Sequence, residues 1–307
     1  MDERQELESL MLRQEVKNLI QQASYRTNTI AFPNGQLIAL LVLKEHIVNF
    51  IFWNTFLDMI ESEIKRLGYA FKICIMDDNN DEWKQSDICG YILLGRIPSF
   101  YLSQVEMLKK PIVFIDGEAE FGSYGQVRVN NKWGTYMLAK TAIEMGHRNI
   151  VFCGSFSYRS YKEREEGTRH CARDHIAQGV VYEFLDLTNQ NPSERKQSLV
   201  ELLTRRNPPT FIQCSSDSEA QTVYSVAESL MLKIPNDLSV VGFDNIKESH
   251  QMTPPLTTVD VLRMDVAVAA VELLIKMTNA PLAPNETILL EPTVVMRGSL
   301  APPGDKQ

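Results

Sequence analysis

The sequence predicts an α/β protein built from two doubly wound domains with parallel sheets. From Gln36 onward, short β-rich runs alternate with helix-length runs, and the series occurs twice with a break near residues 129–131. Strands that alternate with helices are typical of βαβ units and parallel sheets. The length of 307 residues suits two domains that each bury a core of their own.

The first series begins with "QLIALLV" at 36–42, a continuously apolar strand of the kind found in buried parallel sheets. Apolar residues at helical spacing between Ile47 and Ile64 predict the next helix, which ends at Gly68 after a basic last turn. The further strands of this series are predicted at 70–76, 90–95, 111–116 and 125–129.

The second series begins with a helix that carries Trp133 and stops at Gly146, and it ends in an unusual tail. Its strands are predicted at 149–154, 180–185, 210–215 and 238–243, and its helices at 157–175, 192–206 and 217–232. The tail contains "TPPLTTVD" (253–260), another helix and the short strands "TILLE" and "TVVMRG". It is superfluous if each domain takes one continuous segment, but it is explained if the chain crosses repeatedly between the domains. We therefore predict three crossing strands around a cleft, with ligands at the carboxyl ends of the sheet strands.

The composition argues against several classes of protein. The net charge is −8 and 44% of the residues are hydrophobic, values typical of a soluble globular protein. The acidic balance argues against nucleic-acid binding by the whole surface, although it leaves room for a small basic module. No apolar run is long enough to cross a membrane, and the acidic start is unlike a signal peptide. Five cysteines without a CxxC pair predict reduced thiols in a cytoplasm, with neither disulfides nor a zinc site.

Catalytic signatures are mostly absent from the sequence. The dinucleotide fingerprint, the P-loop, the HExxH zinc motif and the GxSxG nucleophile elbow do not occur. The five histidines show no metal-ligand spacing. We therefore expect a protein that is not an enzyme, with no catalytic residues, no cofactor and no metal.

Polar side chains follow several predicted strands or lie in the first turns of the helices after them. They are Asp116, Arg164, Ser216, Asp217, Asp244 and Asn245. Carboxylate, amide and guanidinium groups can exchange hydrogen bonds with sugar hydroxyls or purine edges, so these residues predict a ligand site if the carboxyl edges of both sheets point inward. Helix N-capping explains Ser216, Asp217 and Asp244 equally well one by one. Arg164 has no such explanation, and it favours the ligand site.

Two aromatic residues lie early in the first helix, at the cleft end of the first strand. Phe52 and Trp53 are candidates for stacking on a sugar ring or a base. The alternative is an ordinary place in the core, which suits Phe52 better than Trp53.

The tail and the middle of the chain carry a family resemblance. "DLSVVGFDNI", "TPPLTTV" and "ILLEPTVVMRGSL" closely resemble the end of LacI/GalR-family transcriptional regulators. "AIEMGHRNIVFCGS" and the arginine of "KEREEG" also resemble that family. The resemblance implies a periplasmic-binding-protein-like type I fold, in which two Rossmann-like lobes are joined by three crossover strands. It also implies an effector in the cleft and a homodimer.

The resemblance also implies roles for individual residues. Arg164, Asp217 and Asp244 are implied as the strongest effector contacts, followed by Asp116 and Ser216. The chain departs from the family pattern in "NFIFW", which contains Phe52 and Trp53, and in "DLTNQNPSE", which lacks an aromatic platform. Asn130 replaces the usual aspartate at the first crossover, and the predicted hinge positions are Asn130, Thr258 and Pro292.

The predicted parts of the chain follow from these crossovers. They are a headpiece remnant at 1–35, an N-terminal lobe at 36–129 with 260–291, a C-terminal lobe at 130–259 with 292–300, and a tail at 301–307. "EVKNLIQQASYRTNTIAF" resembles the last headpiece helix and the segment leading to the hinge. The two preceding helices and their recognition signature are missing, so we expect a truncated DNA-binding headpiece, with operator binding only if a complete headpiece exists upstream.

The leading hypothesis is a cytoplasmic LacI/GalR-type regulator, a repressor, that senses a small molecule such as a sugar or sugar derivative. The alternative is a free-standing cytoplasmic ligand-binding sensor that lacks DNA binding. A secreted solute-binding protein has the same implied fold but requires a signal peptide. We expect no association with a membrane.

Overall fold

The computed structural model describes residues 36–43, 50–76, 81–117, 124–280 and 286–304, and the side chains of 50–55 lie outside this description. The predicted headpiece remnant at 1–35 also lies outside it. The described chain divides into two compact units. The first contains the residues up to Arg128 together with Arg263–Leu290, and the second contains Val129–Leu262 and the residues from Glu291 onward.

The described strands and helices alternate along most of the chain. In order they are β1 (Leu37–Leu43), α1 (Phe50–Arg66), β2 (Ala70–Met76), β3 (Ile88–Leu94), α2 (Ser99–Met107), β4 (Ile112–Ile115), β5 (Gly125–Val129), α3 (Asn131–Glu144), β6 (Asn149–Gly154), α4 (Arg159–Asp174), β7 (Val181–Asp186), α5 (Pro192–Thr204), β8 (Phe211–Cys214), α6 (Asp217–Ser229), β9 (Ser239–Val241), β10 (Thr258–Asp260), α7 (Arg263–Asn279), β11 (Thr287–Leu290) and β12 (Thr293–Val295).

The first unit is organised around a sheet with the strand order β11-β5-β4-β3-β1-β2. The pairs β1–β2, β1–β3, β3–β4 and β4–β5 are parallel. Strand β1 is buried from Ile38 to Leu43, as its continuously apolar sequence predicts. Helix α7 lies close against the sheet, because a Cβ on Gly90 of β3 would be only 2.9 Å from Leu274 Cδ1.

The second unit contains a parallel sheet with the order β7-β6-β8-β9 and a separate antiparallel pair, β10–β12. One apolar cluster joins α3 and α4 to this sheet through Leu138, Cys171 and Phe211. Another joins α5 and α6 to it through Leu199, Val223 and Ile212. The sheet therefore has helices on both faces, which leaves the carboxyl ends of its strands to form a polar edge.

The predicted α/β class with parallel sheets is confirmed. The predicted helices 157–175, 192–206 and 217–232 are present with ends that differ by a few residues, since helix termini fray. The sequence reasoning missed helix α2. This helix buries only Val105 and leaves Phe100 and Met107 exposed, so it shows no clear apolar face in the sequence.

Helices in the described part of the chain are all too short or too polar to span a membrane.

Candidate binding site

Arg164 lies at the centre of a buried polar cluster in the second unit. It belongs to α4, which follows β6, and only 5% of the residue is exposed. Its Nε donates to Asn131 Oδ1 at 3.0 Å, and its Nη1 donates to the carbonyl oxygen of Ser215 at 2.7 Å. Its Nη2 lies 3.0 Å from Asp244 Oδ1 in an ion pair. The three partners come from α3 and from the segments after β8 and β9, so the guanidinium is held on several sides.

Aromatic rings fix the plane of the same guanidinium. Arg164 Cζ lies 3.8 Å from the ring centroid of Phe243, which is fully buried, and 5.2 Å from that of Tyr161. A guanidinium over an aromatic face is attracted by the ring quadrupole, and more strongly when it is desolvated. Arginine has five N–H donors. Within the described residues two of them donate to Asn131 and Ser215, while Nη2 forms the ion pair with Asp244. The remaining N–H groups can donate to a bound molecule.

A strained turn places Asp244 and Asn245 beside this arginine. Their φ angles are 109° and 51°. Positive φ is uncommon for residues other than glycine, and only the value of Asn245 falls in the left-handed region where asparagine is enriched. The Asp244 amide donates to the carbonyl of Val259 at 2.9 Å, and Asn245 Nδ2 donates to Asp260 Oδ2 at 2.8 Å. Arg297 Nη2 donates to Asn245 Oδ1 at 2.5 Å. Backbone strain of this kind persists where the surrounding contacts hold it, and it is concentrated at functional sites.

Asp217 stabilises this turn by hydrogen bonds to the residue that follows it and to β10. It is fully buried, and its Oδ1 accepts from Thr258 Oγ1 at 2.5 Å while its Oδ2 accepts from the Ile246 amide at 2.9 Å. A Cβ on Gly242 would be 2.8 Å from Leu256 Cδ2 and closer still to Asp217 Oδ1, so a side chain there would have to displace the Asp217 carboxylate. Both carboxylate oxygens of Asp217 thus bind the protein itself, and a ligand contact by this residue stays a prediction.

The remaining predicted site residues have different surroundings. Ser216 is the N-cap of α6, and its hydroxyl accepts from the Glu219 amide at 3.2 Å, as the capping interpretation predicts. Asp116 follows β4 in the first unit with a φ of 49°. Phe52 and Trp53 belong to α1 of the first unit, and their side chains lie outside the described ones. The structure thus brings together the predicted site residues of the second unit.

The predicted hinge positions lie in the second unit, near the points where the chain enters or leaves it. Asn130 Oδ1 accepts from the Trp133 amide at 3.2 Å as the N-cap of α3, and its Nδ2 donates to Glu291 Oε1 at 2.9 Å. Thr258 begins β10 and binds Asp217. Pro292 lies before β12, and its Cγ is 3.0 Å from where a Cβ on Gly134 would be. Their role as hinges stays a prediction.

The sequence reasoning did not identify Asn131, Phe243 and Ser215 as parts of the cluster. Phe243 is one of many apolar residues at a strand end, and Ser215 contributes its backbone carbonyl, which has no sequence signature. Asn131 follows Asn130 at the start of a helix, where capping is the first explanation of an asparagine. In the described residues no three or more His, Cys, Asp or Glu side chains are grouped so as to hold a metal ion.

The pH dependence of stability is expected to reveal the buried Asp217. Burial, together with the nearby charge of Asp244, raises the pKa of Asp217 from 3.8 to about 7. Between those values the folded protein holds a proton that the unfolded chain releases, so this group lowers the free energy of unfolding as the pH rises through that window. Asp217→Asn cannot ionise, and it loses one acceptor at every pH. We therefore expect the difference in free energy of unfolding, variant minus parent, to increase as the pH rises from about 5 to about 8.

Urea unfolding at the two pH values measures this difference. Contributions from groups that do not interact with Asp217 cancel, including that of His147, whose pKa is lowered by burial. Parallel stability profiles for the two proteins would show that Asp217 stays ionised in the fold.

Comparison with known proteins identifies the family of this chain. Residues 139–300 match the periplasmic binding protein-like domain family, which covers more than half of the chain. The chain belongs to this family. It is 26% identical to the uncharacterized HTH-type transcriptional regulator YvdE of Bacillus subtilis over 90% of this chain and 84% of that protein. It is 25% identical to the HTH-type transcriptional repressor PurR of Proteus mirabilis over 80% of this chain and 75% of that protein.

Solved structures of LacI-family regulators share the fold of this periplasmic binding protein-like chain. One from Enterococcus faecium, determined with bound ribose, has a TM-score of 0.72 at 20% identity and covers 87% of this chain and 99% of its own. A periplasmic binding protein/LacI transcriptional regulator from Alkaliphilus metalliredigens, complexed with D-xylulofuranose, has a TM-score of 0.68 at 20% identity and covers 86% and 99%. The resemblance to LacI-family regulators in the sequence motifs is confirmed, and the relatives named above are transcriptional regulators rather than enzymes.

Proposed function

We propose that this protein is a LacI/GalR-type transcriptional regulator, a repressor, that senses a sugar or sugar derivative at the Arg164 cluster. One observation carries the proposal: a buried guanidinium, clamped by Asn131, Ser215 and Asp244, retains N–H donors at the carboxyl edge of the second sheet. Similar proteins were solved with bound ribose and with bound D-xylulofuranose, which supports a pentose as the first candidate.

The chemistry of the cluster suits a hydroxylated ligand. A sugar hydroxyl both donates and accepts hydrogen bonds, so it can accept from an Nη of Arg164 while it donates to a carboxylate such as Asp244. Hydrogen bonds to charged groups are about twice as strong as neutral ones, and this strength favours a defined orientation of the ring. Asn245 and Ser216 lie on the neighbouring loops and are further proposed contacts. Asp116, Phe52 and Trp53 remain proposed contacts from the first unit.

Regulation by this protein requires that ligand and DNA binding are coupled. We propose a cytoplasmic homodimer in which the sugar favours one arrangement of the protein over another and thereby changes its affinity for operator DNA. Asn130, Thr258 and Pro292 are the proposed hinge positions for this change. Operator binding depends on a complete DNA-binding headpiece.

A thermal-shift screen, followed by calorimetry, tests the sensing function. D-ribose and D-xylulose are the first probes, and sugar phosphates and nucleosides are the comparison set. We expect at least one sugar to raise the Tm, because a ligand that binds only the native state stabilises it. A shift with nucleosides alone would contradict the sugar and indicate a purine ligand. No shift with any of these compounds would contradict the sensing function.

Fluorescence anisotropy with DNA from upstream of the protein's own gene tests the regulatory function. A form of the protein that carries a complete DNA-binding headpiece is expected to bind this DNA sequence-specifically, and the binding should change when the sugar is added. Sugar binding without any DNA binding would instead support the free-standing sensor.

A further inference from the structure

We propose that Asn131 is a positioning residue for Arg164: its amide joins the guanidinium to the Glu163–Arg159 ion pair and so fixes the direction in which Arg164 presents its free N–H groups. The proposal concerns the Arg164 cluster, and its consequence for ligand affinity rests on the proposed function.

The Asn131 amide is held at both ends by groups of opposite character. Asn131 is 2% exposed and is the first residue of α3. Its Oδ1 accepts from Arg164 Nε at 3.0 Å, and its Nδ2 donates to Glu163 Oε2 at 3.1 Å. A reversed amide would turn N–H toward N–H and oxygen toward carboxylate. Only one orientation satisfies both partners, so the network defines the position of the acceptor for Arg164 Nε.

In the described contacts, Glu163 is linked to Arg164 through this amide. The two are neighbours on α4, and successive residues of an α-helix point in directions about 100° apart. Glu163 instead pairs with Arg159 one turn earlier, where Arg159 Nε donates to its Oε1 at 3.1 Å. The Asn131 amide belongs to α3 and hydrogen-bonds to both Glu163 and Arg164, so it connects the two side chains. Arg159, Glu163, Asn131, Arg164 and Asp244 thus form one continuous chain of polar contacts.

The start of α3 is itself fastened. Asn130 caps the helix through the Trp133 amide, and its Nδ2 donates to Glu291 Oε1 at 2.9 Å. Asn131 therefore has a fixed position, and so does the acceptor that it offers to the guanidinium of Arg164. With the Nε edge held by Asn131 and the ring of Phe243 beneath, the Nη edge is turned toward Asp244 and Ser215. Pre-orientation of this kind lowers the entropy that a ligand must remove on binding.

The test compares three variants by two measurements. Asn131→Leu removes both hydrogen bonds and keeps the number and branching of the side-chain heavy atoms. Asn131→Asp keeps an acceptor for Arg164 but sets a carboxylate against Glu163. The double variant N131D/E163Q restores a donor at position 163 for the new carboxylate. We expect D-ribose affinity to fall about tenfold in both single variants and to return to within about twofold of the parent in N131D/E163Q.

The second measurement needs no ligand. In NMR spectra of the protein with ¹⁵N-labelled arginine, the Nε–H signal of Arg164 is assigned by its loss in Arg164→Lys. We expect it to be protected from solvent exchange in the parent and in N131D/E163Q, and exposed to exchange in Asn131→Leu. Asn149→Ala is the matched control, since Asn149 lies at the amino end of β6 and, among the described residues, its side chain donates to the backbone carbonyls of Asn207 and Pro208. It should change neither the signal nor the affinity.

The two measurements separate the possible failures. An unchanged Arg164 signal in Asn131→Leu, or a double variant no better than Asn131→Asp, overturns the role of Asn131. If Asn131→Leu does not fold, the comparison of Asn131→Asp with N131D/E163Q decides. A parent protein that binds no sugar contradicts the proposed function, and the Arg164 signal still decides the role of Asn131.

Discussion

Arg164→Ala is expected to weaken D-ribose binding by ~1.5–3 kcal/mol, which is roughly 10- to 150-fold in Kd. The guanidinium is the group in the cluster that combines a full charge, a fixed orientation over Phe243 and N–H donors beyond those used by Asn131, Ser215 and Asp244. Its removal takes away a charge-assisted hydrogen bond to the ligand and breaks the ion pair with the buried Asp244 carboxylate. Isothermal titration calorimetry measures the change, and equal Kd values for parent and variant would contradict the assignment.

Two further arginine variants separate charge from geometry. Arg164→Lys keeps a cation near Asp244, but an ammonium group cannot reach Asn131, Ser215 and Asp244 at once from its single nitrogen. We expect it to recover stability and to recover little affinity. Arg169→Ala is the control on the same helix, because Arg169 pairs with Glu165 one turn away and its side chain is 46% exposed. Pairs of that kind contribute less than about 1 kcal/mol, so its affinity for D-ribose should equal that of the parent.

The strands were predictable because their signals are local. The buried strand β1 is apolar at every position, and the glycines at Gly68 and Gly146 mark the ends of helices in the sequence. The helix α2 was missed because its exposed Phe100 and Met107 lie where a local pattern requires polar residues. Both results follow from the same fact, that periodicity reports burial rather than helix formation itself.

The site was predictable only in part. Arg164 was identified because an arginine in the first turns of a helix has no capping function, and Asp244 because it follows a buried strand. The partner of Arg164, Asn131, lies 33 positions away along the chain, and the contact depends on how α3 packs against α4. Asp217 shows the same limit: the sequence places it at a strand end, but its partner Thr258 is 41 positions away and takes one of its carboxylate oxygens. Whether a polar group binds a ligand or another part of the protein is decided by tertiary packing.

Gly167→Ala is expected to destabilise the protein by about 3 kcal/mol, although glycine in a helix is ordinarily less stable than alanine by ~1 kcal/mol. Gly167 lies in α4 where this helix crosses α3. A Cβ there would be 2.8 Å from the carbonyl carbon of Lys132, and closer still to the Lys132 oxygen and to Thr135 Oγ1. Backbone atoms cannot move aside like the end of a side chain, so the helices must separate and the steric cost exceeds the gain in propensity. Urea unfolding measures the difference.

Control variants and a ligand-binding measurement distinguish a steric effect of Gly167→Ala from a general loss of stability. Gly179→Ala adds a Cβ that has no atom of the described residues within 4 Å, at a φ of +80°. Its cost is that of the left-handed backbone alone, about 1 kcal/mol. Thr135→Ala added to Gly167→Ala should not restore stability, because the Lys132 carbonyl remains in place. Separation of α3 from α4 also lengthens the 3.0 Å bond between Asn131 Oδ1 and Arg164 Nε. Gly167→Ala should therefore weaken D-ribose binding as well as stability, whereas Gly179→Ala should lower stability alone.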